Sequence, residues 1–168
     1  MRYTPAALAL AMLVAVTSSV GQGKVPAPLD PRAAVLVQQG RAALTAGNVD
    51  GAIDAYEAAL VVQPGHVAIY LNLAEATRKQ GMQGKALRYY RTALTLEPDN
   101  QYAIAGEGMA LVEKGAVEKA RRNLSRLNQL CGGTCAPARD LAAAIAAGPV
   151  PKVVTADQVK ADPVVVEN

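Results

Sequence analysis

The chain has 168 residues, 51% of them apolar and 18% charged, with a formal net charge of +3. That apolar fraction excludes a wholly disordered chain, and so slight a charge excess gives no case for nucleic acid. One His and two Cys leave almost no donors for a many-ligand metal site, and with neither Trp nor Phe the core must come from Ala, Leu, Val and Ile, small side chains that suit closely spaced helices.

Residues 1–23 read as an export signal. Arg2 is followed by an uncharged apolar run, Pro5 to Val16, and then by the small polar stretch Thr17 to Gly23. As a helix the run would rise about 18 Å, short of the ~30 Å a membrane span needs, so no lasting membrane anchor is expected after cleavage. Residues 24–30 form a Pro-rich spacer. Asp30-Pro31 then has the pattern of a helix start, Asp as N-cap and Pro at the first helical position.

From there the spacing predicts helices over 31–46, 49–62, 67–80, 83–96, 101–114, 117–130 and 136–147. The middle of the chain repeats at a step of 34: Ala52 recurs as Ala86, Tyr56 as Tyr90, Ala59 as Ala93 and Pro64 as Pro98, and Gly47, Gly81 and Gly115 mark the step three times. Ala, Tyr and Ala fall on one helix face, where a small residue lets a neighbouring helix approach and Tyr fills the space beside it. Pro ends the helix. The last predicted helix is Ala-rich, with Leu141 and Ile145 on one stripe. Residues 148–168, Pro-stopped and Val-rich without a period, are expected to be a disordered tail.

This pattern resembles the tetratricopeptide repeat, a helix–turn–helix unit of 34 residues. Units 33–66, 67–100 and 101–134 place Gly40, Ala74 and Gly108 at the family's small eighth position, and Ala52, Ala86 and Ala120 at its twentieth. The third unit departs at its end, with Leu124 for the aromatic and Gly132 for the proline. The resemblance implies an all-α fold over residues 31–147, a helix–turn–helix solenoid of three repeats plus a C-terminal capping helix, 136–147.

The resemblance also implies a peptide-binding concave face made by the first helix of each unit. Carried over by repeat position, its candidate contacts are Val37 and Arg41; Leu71, Glu75, Arg78 and Lys79; and Tyr102, Met109 and Val112. Tyr102 and Met109 are the large apolar contacts. One subfamily grips a C-terminal carboxylate with five residues, but here only Asn72 stands at a matching place. Val37, Arg41, Tyr102 and Gly106 replace the rest, and Asn72 reads as a hydrogen-bonding residue of the fold.

The second helices carry opposite signs, acidic in unit one (Asp50, Asp54, Glu57) and basic in units two and three. Pairing between units is one reading, with Asp54 and Glu57 facing Arg88 and Arg91. A basic convex patch of Arg121, Arg122 and Arg126 is the other. Cys131 and Cys135 enclose Gly132, Gly133 and Thr134 between the last repeat helix and the cap. Behind an export signal such a pair is expected to bridge.

The sequence therefore describes a secreted, periplasmic interaction module or scaffold that is not an enzyme, needs no cofactor and binds a protein or peptide. The alternative is a thiol-based redox or metal-handling accessory protein using Cys131 and Cys135.

Overall fold

The computed structural model describes residues 28–149. The expected export signal, most of the expected spacer and the expected tail beyond 149 lie outside the described residues. Seven helices follow in order: α1 (Pro31–Thr45), α2 (Val49–Val62), α3 (Val67–Lys79), α4 (Gln83–Leu96), α5 (Gln101–Glu113), α6 (Val117–Cys131) and α7 (Ala136–Ala147). There is no strand among the described residues. The fold is all-α, as the repeat spacing implies, and the helix ends agree with the spacing to within a residue.

Local chemistry explains the boundaries. The Asp30 carboxylate accepts a hydrogen bond from the Arg32 amide at 2.8 Å, with Pro31 at the first helical position. Asn48 Oδ1 accepts from the Gly51 amide and Asn100 Oδ1 from the Ala103 amide, both at 2.9 Å. Each satisfies one of the amides that a helix start leaves without an intrahelical partner. Between the two helices of each unit stand Gly47, Gly81 and Gly115, with φ of 77°, 82° and 78°. That left-handed backbone is costly for a residue with a Cβ, which is why glycine recurs at the repeat step.

Each unit is a helix hairpin, α1 with α2, α3 with α4, α5 with α6, and each second helix packs on the next first helix. The backbone of α3 also comes close to those of α1 and α5, whereas the backbones of α2, α4 and α6 stay apart. The array therefore curves, with α1, α3 and α5 on its inner side. Helix α7 closes the end against α5 and α6.

The repeated alanines Ala52, Ala59, Ala86 and Ala93 are all 0% exposed. Tyr56 lies over Gly40, and Tyr90 over Gly106 of the following unit; a Cβ on either glycine would collide with the ring. The third unit has Leu124 where Tyr would stand. There Leu141 of α7 lies against Gly108, whose added Cβ would come within 2.6 Å of Leu141 Cδ2. Enlarging Ala86 to Leu is expected to overpack the α3–α4 crossing and lower stability by about 1–3 kcal/mol. An unchanged melting curve would contradict the repeat register.

Candidate functional site

The inner face is built from helix stripes. Residues 102, 109 and 113 of α5 are seven and four apart and so share one side of the helix. Tyr102 is 69% exposed, Met109 is half-buried against the core, and Glu113 is also half-buried. The small residues Ala105 and Gly106, both buried, lie between them. Across from this stripe α3 contributes Leu71, Glu75 and Arg78, all half-buried, and the exposed Lys79. A cleft of about 250 Å³ opens where α3 begins, lined by Ala68, Leu71, His66, Gln63, Glu97 and Asn100.

An ion network ties α3, α4 and α5 together. Arg78 donates to Glu75 through Nε at 3.0 Å and Nη2 at 2.9 Å, and Nη1 pairs with Glu113 Oε1. Tyr90 Oη donates to Glu75 Oε2 at 3.2 Å. Burial works against the Arg78 charge, but the two carboxylates outweigh it and hold the guanidinium above its ordinary pKa. Burial, with the Glu75 charge added, pushes the Tyr90 hydroxyl up as well. Three buried polar atoms here lack any partner: Tyr56 Oη, Asn72 Nδ2 and Glu113 Oε2.

Several sequence expectations require correction. Val37 and Val112 are each only 3% exposed and belong to the packing between helices, not to an open groove. Glu75 and Arg78 are engaged with each other and with Tyr90 and Glu113, so neither is a free contact. Asn72 does not hydrogen-bond through its amide nitrogen, because no acceptor lies within reach of it. The remaining candidates Arg41, Lys79 and Tyr102 are exposed, and Leu71 and Met109 are partly so.

On the outer side, pairing between units is present with other partners than those expected. Glu57 meets Lys85 Nζ at 3.0 Å and Tyr89 Oη at 3.4 Å, because residues one turn apart on α4 share the face toward α2. Arg91 pairs instead with Glu107 of α5 at 2.8 Å. The basic patch is broken up. Arg126 Nη2 reaches back to the Pro98 carbonyl at 2.6 Å and to Asp99 at 3.2 Å, while Arg121 lies 3.5 Å from Glu118. Among the described residues, Arg122 alone of the three stands in no ion pair. Cys131 and Cys135 are bridged, their Cα atoms 5.9 Å apart.

Stacked helix hairpins with an inner face of first helices define a helical-repeat domain of the tetratricopeptide class. Residues 37–100 match the family model described as tetratricopeptide repeat. Among curated proteins the chain is 30% identical over 95 residues to Protein CTR9 homolog of Arabidopsis thaliana, covering 56% of this chain but 9% of that protein. Among solved structures it is similar to the Sgt2 TPR domain from Aspergillus fumigatus, with a TM-score of 0.63 at 23% identity over 77% of this chain and 95% of that one. The first TPR of Spaghetti (RPAP3) bound to the HSP90 peptide SRMEEVD gives a TM-score of 0.62 at 22% identity, covering 69% of this chain and 92% of that one. The yeast Sti1 TPR2B domain in its pHsp70 complex gives 0.63 at 18%, covering 70% and 95%. These likenesses concern the fold.

Proposed function

We propose that this chain is a non-catalytic interaction module that binds a peptide segment of a partner protein on its inner face, in the periplasm. Tetratricopeptide domains mediate protein–protein interactions, and two of the solved relatives carry chaperone peptides or partners. The observation that carries the reading here is the 69% exposure of Tyr102, a rigid aromatic on the same stripe of α5 as Met109. Aromatic anchors of this kind dominate binding surfaces. The periplasmic part rests on Arg2 and the apolar run from Pro5 to Val16.

The Cys131–Cys135 bridge fits a staple between the last repeat and its cap. A closed, metal-free bridge that resists mild reductant, read by mass before and after reduction and alkylation, supports the module over the redox or metal-handling alternative.

The test is capture from an envelope extract. Tyr102→Ala with Met109→Ala should lower capture about tenfold or more while the helix content stays unchanged. Capture that survives this pair but fails when Arg121, Arg122 and Arg126 are changed to Glu would move the site to the outer face.

A further inference from the structure

The chain enters the fold at a fixed point. Gln63, just past the end of α2, holds it with both ends of one carboxamide: Oε1 accepts from the Asp30 amide at 2.8 Å, and Nε2 donates to the Pro28 carbonyl at 3.2 Å. Leu29, between them, packs on the core of the first unit. Gln63 also lines the cleft of about 250 Å³ at the head of α3. The residues that precede Pro28 are therefore tethered beside that cleft.

Two kinds of surface meet in it. Ala68 and Leu71, three apart on α3, are half-buried and apolar. Glu97 and Asn100 come from the turn between α4 and α5. Asn100 Nδ2 donates to Glu97 Oε2 at 2.8 Å, but no cation among the described residues pairs with Glu97. The cleft thus suits an occupant with a cation next to an apolar side chain.

The sequence just upstream of Pro28 has that chemistry. Lys24 is the only charge between Arg2 and Asp30, and Val25 follows it. Pro26 and Pro28 bias the residues before them toward extended backbone, which rises about 3.1 Å per residue. Lys24 can then stand up to about 12 Å from Pro28, and its side chain extends the reach. Gln63 and Glu97 are 34 residues apart, one repeat step, and packed helices lie about 8–10 Å apart. The segment is long enough to cross that step. Its two prolines have no N–H to leave unsatisfied.

We propose that residues 24–27 fold over Gln63 into the cleft at the head of α3, with the Lys24 ammonium on Glu97 and Val25 against Ala68 and Leu71. The occupant is tethered in cis, so its effective concentration is of millimolar order and weak contacts suffice. Its prolines lower the cost of ordering it. The segment covers the head of α3, whether or not a partner binds the inner face.

The test is zero-length coupling of the full chain with a water-soluble carbodiimide, which joins an amine to a carboxylate within contact, followed by mass spectrometry of the cross-linked peptides. Asp99 is the internal control. It lies two residues from Glu97 and its side chain is 75% exposed, so an undocked segment would reach it more readily. Lys24 should couple to Glu97 about tenfold more than to Asp99. Val25→Ser leaves both reacting groups in place and lies outside every helix, yet it should cut the Lys24–Glu97 yield about threefold or more. A mixture of ordinary and heavy-nitrogen-labelled chain should give no mixed cross-link. Coupling to Asp99 at or above that to Glu97, absence of the Lys24–Glu97 product, a yield indifferent to Val25→Ser, or mixed products that place a second copy in the cleft overturns the inference. None of these outcomes touches the Tyr102→Ala and Met109→Ala capture test, on which the inner-face reading stands or falls separately.

Discussion

Tyr90→Ala is expected to lower unfolding stability by about 3–5 kcal/mol, measured by urea denaturation followed by circular dichroism. Tyr90 is 3% exposed and fills the space over Gly106, so truncation leaves a cavity at the junction of the second and third units. Its hydroxyl also completes Glu75, which otherwise depends on Arg78 alone. Tyr90→Phe keeps the ring and removes only that hydrogen bond, so its cost should be about 1–2 kcal/mol. Equal losses for the two variants would mean that the polar link, not the packing, joins these units. The contrast with Tyr56 is instructive: its ring is equally buried but its hydroxyl has no partner, so Tyr56→Phe should cost less than Tyr90→Phe.

The features legible in the sequence are those that each unit repeats for the same local reason. The step of 34 in Gly47, Gly81 and Gly115 reports a left-handed turn residue, and that in Ala52 and Ala86 reports a helix crossing with no room for more than a methyl group. What was not legible depends on the rotation of one helix against another. Val37 and Val112 share repeat positions with the half-buried Leu71 and Arg78, yet each is enclosed in the core between helices. The charges behave the same way. By its place in the sequence Arg126 groups with Arg121 and Arg122, but its long side chain bends to the Pro98 carbonyl, a partner 28 residues earlier. The Glu75–Arg78 pair has i, i+3 spacing and could have been seen. Glu113 joins it only because α5 packs beside α3. The unpartnered Oε2 has no sequence signature at all, since it is defined by which donors fail to reach it.

Helix α7 gives the second large effect. It has twelve residues, a length at which an isolated helix is marginal in water. Its hold on the array comes from Pro137, Ala138 and above all Leu141, which is 0% exposed against Gly108. Leu141→Ala should therefore cost about 2–5 kcal/mol, but locally. Amide exchange should rise in residues 136–147 and in the part of α5 beneath them, while α1 to α4 keep their protection. The bridge acts on the same helix by a weaker route. Cys131 ends α6 and Cys135 is the N-cap of α7, so the bond limits the swing of the cap. A loop this short contributes only about 2 kcal/mol through the unfolded chain. Cys131→Ser with Cys135→Ser should thus leave the first two units folded and raise exchange in 136–147 less than Leu141→Ala does. Combining the two changes should detach the helix, because each restraint limits the motion that the loss of the other permits. Protection of 136–147 that is unchanged by removal of the bond would deny it a structural role, and the redox reading of the two cysteines would then gain ground.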